Sequence, residues 1–490
     1  MENHNKTTHS SLRELHGGRL YGYSLGIFGV MLLLMLTESY SYNFYVYTIR
    51  LDSLLVSIGT TINMITSAFS GIIFGVVMDN TKPKKIGKRR PYLLMGLPLW
   101  LIAAILIYLP PWIPPQAEAM VNFTVIYWPT AVWLWIMNLL KGVFGSLMMI
   151  VFSSILPEIS QTLKNRKKAA VVGANLRVVG SIISVAFPNI LMSLLENPND
   201  LAYWTNSGIF IRKLMPPISI IFGIISAVLI LISFFSIDES FNLNSTNFER
   251  RSLKNAFKNL FIPVKDKEYM KLMAAGVTSQ VSQFALIFTI IPFIRLVLGQ
   301  GLTQSQVSDL YIIYIIISIS TKFAWLYIWK RIMKKQGKIL KTYKWNVILI
   351  IFAAFFELFF LVEMNIVLRM ILFILSFGTV LGSMYATGIF SSPIMNELID
   401  RAADMYIAKS ENKSLDKDQA VTRLSGAYMG LFMFSTSMLA ALSSTIYGFI
   451  FRGENSSNPI ILTLGLASMG LLYILSFVFL RWFKVNVKES

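Results

Sequence analysis

Long apolar stretches alternate with short polar ones along almost the whole chain. Twelve apolar blocks stand out: Tyr21–Thr48, Leu54–Met78, Tyr92–Leu109, Val132–Leu156, Ala169–Leu195, Pro216–Phe235, Leu272–Leu296, Val307–Tyr327, Trp345–Val362, Val367–Phe390, Ser425–Ile450 and Ile460–Leu480. About 20 apolar residues are needed to cross a bilayer core as a helix. Backbone inside a bilayer must satisfy its own hydrogen bonds, which a row of helices does. The pattern predicts an all-α polytopic membrane protein with twelve transmembrane helices.

Composition sharpens this reading. The 490 residues are 55% hydrophobic and 14% charged, with a formal net charge of +19. Such a charge can signal nucleic-acid binding, but here the basic residues sit in short turns between apolar blocks, and no nucleic-acid partner is expected. There is no Cys, so disulfide and thiol chemistry are excluded. The three His all fall in the polar N-terminal tail, at positions 4, 9 and 16, which excludes a His-based metal centre in the membrane. No metal, cofactor or enzymatic activity is expected: no phosphate-binding Gly loop and no nucleophile triad is present. The polar tail is not a cleavable signal, because the first apolar block is too long for one.

The great majority of the 44 Lys and Arg lie in the N-terminal tail, the even-to-odd turns and the C-terminus. Basic residues favour the cytoplasmic side, so both termini are expected there, in a multi-pass protein of the cell membrane. One polar loop stands apart and divides the helices six and six. The expected organisation is a tail (1–19), a six-helix bundle (20–237), a cytoplasmic linker (238–268), a second bundle (269–483) and a short C-terminal tail (484–490). Two such halves suggest a transporter built on an internal repeat.

Between the second and third blocks lies a basic turn, Asp79-Asn-Thr-Lys-Pro-Lys-Lys-Ile-Gly-Lys-Arg-Arg-Pro91. Together with Ile155-Leu-Pro157-Glu158-Ile, Leu176-Arg177-Val-Val-Gly180-Ser181, Asn396-Glu397-Leu-Ile-Asp400 and Arg423-Leu-Ser-Gly426, it makes the chain resemble the major facilitator superfamily. Within it, the chain is similar to the glycoside–pentoside–hexuronide:cation symporters, which include the melibiose carriers. The resemblance implies two pseudo-symmetric six-helix bundles around a central cavity and secondary transport by alternating access. It also implies that the 79–91 turn gates the cytoplasmic side. Asp79 would pair with Arg89, Arg90 or another base of the same half, Gly87 would permit the sharp turn, and Glu158, Asp400 and Arg423 stand at other inner helix ends. The cavity departs from the family pattern. Places held by carboxylates in melibiose carriers fall on Ser67 and Gly71 in the second helix and near Met31 and Met149 in the first and fourth. Only Arg177 is retained, so sodium coupling is not implied.

Charged residues inside a membrane are costly and usually face a partner or a cavity. Here they are Glu38, Lys141, Arg177, Lys322 and Glu357. Glu38 and Lys141 could meet and hold a polar substrate; Glu38 could instead carry a proton, or the two could form a structural pair. Arg177, Lys141, Asn138 and Asn175 are the expected substrate-side residues. Tyr40, Tyr42, Tyr45 and Tyr47 are expected in the outer interface belt. The expectation is a monomeric carrier of a sugar or glycoside, proton-coupled or uniporting, surrounded by membrane lipid. An organic anion or drug-like cargo, or a transporter-like sensor without flux, remains open.

Overall fold

The computed structural model describes residues 14–82, 86–160, 162–239, 252–409 and 417–484. The side chains of residues 157, 158, 163, 164, 166, 167, 409, 417–419, 422 and 423 also lie outside the description. Among the described residues twelve helices carry the fold, eleven of them long and apolar enough to cross a membrane and the twelfth, Arg90–Leu106, shorter at 17 residues. They are α1 (Gly17–Asn43), α2 (Ser53–Asp79), α3 (Arg90–Leu106), α4 (Trp128–Ile159), α5 (Leu163–Ser193), α6 (Asn206–Ser236), α7 (Lys267–Leu298), α8 (Gln304–Gln336), α9 (Ile339–Phe356), α10 (Ile366–Lys409), α11 (Lys417–Ile450) and α12 (Pro459–Trp482). Helix α7 is broken at Ser282 and ends in a π-turn, Ile294–Leu298.

Local chemistry sets many of these boundaries. Side chains of Asp52, Thr162, Thr205, Asp266 and Asn458 cap the helices that follow them. Thr303 and Gln306 form a reciprocal capping box on α8. Gly337 ends that helix with φ 61°, a left-handed conformation that favours glycine. Several helices overrun their apolar blocks, α8 by nine residues and α10 by 19, about five turns. In α8 the added residues are mostly Lys, Arg and other good helix formers, so the helix continues after the apolar block ends.

The two sets of six helices pack by one rule. In the first, α1 packs on α5 and α6, α2 on α4, and α3 on α4 and α6. In the second, each pairing recurs six helices later: α7 on α11 and α12, α8 on α10, and α9 on α10 and α12. The α1–α6 crossing shows how small residues build such contacts. Gly22, Gly26 and Gly29 face Ser236, Ser233 and Ser226, and a Cβ at Gly26 would stand 2.5 Å from that of Ser233.

Between the halves, α2 packs on α11, α5 on α8, and α1 touches α7. We call the face that carries the 238–268 segment the linker face and the opposite one the distal face. A short amphipathic helix, Leu253–Leu260, crosses the linker side of the α2–α11 seam. It sets Phe257 near Phe69 of α2, and Phe69 meets Phe434 of α11 at 5.6 Å between ring centres.

Candidate transport site and gates

The central candidates fall at two depths. Near the distal end, Glu38 of α1 interacts electrostatically with Lys141 of α4, yet no direct ion pair joins them. Among the described residues Glu38 accepts no hydrogen bond. It is partly exposed, whereas Lys141 and Asn138 are each 3% exposed. The Asn138 amide donates to the Leu134 carbonyl at 3.0 Å, which leaves its carbonyl oxygen for another partner. Helix α2 closes over this pair through small contacts. A Cβ on Gly59 would lie 3.1 Å from Asn138 Nδ2, and one on Gly142 would lie 2.6 Å from the Asn63 carbonyl.

Arg177 lies elsewhere. It is exposed and interacts electrostatically with Tyr23, near the linker-face start of α1, whose hydroxyl donates to the Phe152 carbonyl at 2.7 Å. Tyr23 and Glu38 are fifteen residues apart on one helix, about 22 Å along its axis. Arg177 and the Glu38–Lys141 pair therefore do not form one compact site. Asn175 is also separated from Arg177: two residues on a helix are about 200° apart around its axis. The Arg177 face packs toward α1 through Gly173 and Gly180, and Asn175 points away from it.

At the linker face, Asp79 and Arg89 form an ion pair at 3.4 Å. The residue that organises the turn is Glu239, placed in the linker by the sequence reading. It is fully buried, and its carboxylate accepts from the backbone N–H of Arg89 at 3.0 Å and of Arg90 at 3.0 Å. An acid at the N-terminus of α3 satisfies free N–H groups and meets the positive end of the helix dipole. Gly87 has φ 109°, and a Cβ there would lie 2.7 Å from that of Glu239. Arg90 stacks 4.3 Å over the Phe234 ring, and the hydroxyls of Thr81 and Tyr92 meet.

Every one of these partners belongs to the α1–α6 half. Asp400 is exposed on α10 and makes no ion pair among the described residues. Glu158 and Arg423 lie on α4 and α11 with side chains outside the described residues, as do Pro83, Lys84 and Lys85 of the turn. Replacing Glu239 with Ala should lower the thermal midpoint of the purified protein, because buried donors left unpaired cost about 1–3 kcal/mol. Gly87→Ala should do the same, and both can be read by a melting curve in detergent.

The distal face is where the halves are bound together. Ser53 donates to the carbonyls of Gly448 and Phe451 at 2.9 and 2.7 Å. Ser444 donates to the Ser57 carbonyl at 3.2 Å, and Thr61 to Ala441 at 3.0 Å. On the other flank, Ser308 of α8 donates to the Leu195 carbonyl at 3.2 Å. Arg452 pairs with the buried Asp52 at 3.3 Å. Among the described residues, the hydrogen bonds and ion pairs between the halves lie on this side, whereas on the linker side the α2–α11 seam is held by the apolar contact of Phe69 with Phe434. The halves are thus bonded through polar groups at the distal face and meet through apolar ones toward the linker face. The Asp79–Arg89 pair is intact in this state and lies within one half, so it is not a bond between halves.

This geometry corrects the reading of the tyrosines. Tyr40, Tyr42, Tyr45 and Tyr47 are between 0% and 2% exposed and lie in the distal closure, not in an interface belt. Tyr45 donates to the Ile107 carbonyl and Tyr47 to the Ser456 carbonyl of the other half, both at 2.7 Å. Tyr42 packs edge-on against Phe288 of α7, with ring centres 4.0 Å apart. Glu357, in the short turn that follows α9, is fully buried, and neither carboxylate oxygen has a hydrogen-bond partner among the described residues.

Two six-helix sets repeating one packing rule and meeting along a central seam define a secondary transporter of the major facilitator class. The chain belongs to the family described as MFS/sugar transport protein, whose profile matches residues 22–453. That places it with the branch that includes the melibiose carriers, and among transporters rather than enzymes. Solved structures share the fold. The nucleoside transporter NupG, in a point-mutant form, aligns with TM-score 0.61 at 14% identity, covering 95% of this chain and 100% of its own. The xylose transporter XylE from E. coli, in an inward open conformation, aligns at 0.59 and 12% identity, covering 96% of this chain and 97% of its own. A bacterial homolog of the human lysosomal transporter Spinster aligns at 0.54 and 12% identity over 95% of each chain. Among curated protein sequences, none matches this chain.

Proposed function

We propose that this protein carries a sugar or glycoside across the cell membrane by alternating access, with a proton taken and released at Glu38. The family membership supports a sugar-type solute. One observation carries the coupling: a membrane-embedded carboxylate without a hydrogen-bond partner faces a buried lysine that it does not directly pair with. A proton on Glu38 would remove its attraction to Lys141, and its loss would restore it. Binding can then differ between protonation states, which any coupling requires.

In this reading the linker face is cytoplasmic, as the Lys/Arg bias supports, and the state described is inward-facing. Asn138 and Lys141 offer hydrogen bonds to hydroxyls at the distal end of the cavity. Arg177 acts nearer the cytoplasm, on a solute entering or leaving. The 79–91 turn, held by Glu239, moves with its half as a rigid unit during rocking. Missing acids on α2 argue for protons, or no ion, in place of sodium. Counterflow of radiolabelled sugars and glycosides in proteoliposomes tests the cargo. At least one should exchange, and Lys141→Ala should weaken that exchange about tenfold or more, since a lost charged hydrogen bond is worth about 1.5–3 kcal/mol. Failure of the whole sugar panel alongside exchange of an organic anion would replace this cargo.

A further inference from the structure

Arg295 sits in the π-turn that ends α7, at the distal seam between the halves. It is 5% exposed. Among the described residues it makes no ion pair and no hydrogen bond, and its Nε is buried without a partner. Its guanidinium lies 5.1 Å from the centre of the Tyr47 ring, which belongs to the opposite half. The ionisable groups around it are the phenols of Tyr40, Tyr47 and Tyr311 and a second guanidinium, Arg50. Among the described residues no carboxylate is paired with it.

Arg50 is itself strained and crowded. It lies in the α1–α2 connection with φ 65°, which costs a non-glycine residue energy. Its side chain is 11% exposed, stacks 4.3 Å over Phe123 and is paired with Asp200 at 3.2 Å. Burial and the nearby Arg295 lower its pKa, and Asp200 pushes back. Among the described residues, the closed distal seam thus sets Arg50 and Arg295 near each other with a carboxylate, Asp200, paired to only one of them.

A buried, unpaired charge is expensive, and an apolar residue of similar size is often more stable in its place. The ring face of Tyr47 returns part of that cost. Opening the distal face would separate Tyr47 from Arg295 and let more water reach the guanidinium, whose Nε is buried in the closed state. The cost therefore belongs to one state of the cycle. We propose that Arg295 is a conformational counterweight, a buried cation that destabilises the distally closed state and keeps it close in free energy to the distally open one. This role is independent of the cargo and of proton coupling.

The test exploits the absence of Cys from the chain. Val121→Cys and Ile460→Cys, at positions 82% and 58% exposed on the two sides of the distal face, accept spin labels without further engineering. Pulsed electron–electron spectroscopy in lipid nanodiscs then reads the distal opening. The expected result is a measurable distally open population in the native chain. Arg295→Met should reduce it roughly tenfold and Arg295→Lys should preserve it, because the charge and not the shape carries the effect. Thermal melts would show that both variants fold. An unchanged or larger open population in Arg295→Met would overturn the proposal. So would Arg295→Lys behaving like Arg295→Met, or a native chain with no open population.

Discussion

Gly448→Ala should cut net transport severely while leaving a folded protein that is open at the distal face. Gly448 lies on α11 where it crosses α2, and an added Cβ would overlap both Oγ and Cβ of Ser57. It would also lie 3.1 Å from the Ser53 carbonyl, in the middle of the Ser53–Gly448 and Ser444–Ser57 hydrogen bonds. The obstruction cannot be relieved by rotating a side chain, since Cβ of Ser57 is fixed to its helix. Overpacking of this kind costs about 1–3 kcal/mol, and only the distally closed state bears it. That shifts the balance between states by roughly 5–150-fold. The distance between labels at 121 and 460 should lengthen, and uptake should fall in proportion to the lost closed state. Unchanged uptake would mean that the seam does not close in this way during transport.

Glu38→Gln should separate exchange from accumulation. The amide keeps the size of the acid but can neither gain nor lose a proton. One proton moving down a one-unit pH gradient can drive about tenfold accumulation, since a unit of pH is worth about 1.36 kcal/mol. The variant should accumulate no solute above equilibrium under that gradient, while solute exchange at equal pH continues. Loss of both activities would point instead to Glu38 as a substrate or structural residue. Normal accumulation would place proton coupling elsewhere or remove it from the mechanism.

Much of the architecture was legible because bilayer thickness imposes a length that apolar blocks display. A long polar segment between the sixth and seventh blocks suggested two halves, although a second one, 391–424, lies between the tenth and eleventh. Other features were hidden for physical reasons. Tyr40 to Tyr47 have the composition of an interface belt, and a closed seam selects the same residues: large apolar bodies with a polar tip. Glu239 follows an apolar run and opens a polar stretch, so it reads as linker, and its role as a cap on α3 needs a fold that returns to residue 89. Arg295 stands at the end of a block and looks like a loop cation. Its isolation depends on which helices surround it. The separation of Asn175 from Arg177 was available from helical periodicity alone. The distance between Arg177 and Lys141 required knowing that Tyr23, not Glu38, lies beside Arg177.

The candidate site is thus a distal acid–lysine pair beneath a tightly closed seam, with a lone arginine on the way to the opposite face. The fold makes alternating access the natural cycle, and proton coupling at Glu38 would make that cycle concentrative. The most direct measurement is uptake of a radiolabelled sugar by proteoliposomes containing the native protein, with and without an imposed pH gradient and a protonophore. Accumulation above equilibrium is expected with the gradient, with collapse to equilibrium when the protonophore is added. Sugar flux indifferent to the gradient, or no sugar flux at all, would contradict proton-coupled sugar transport.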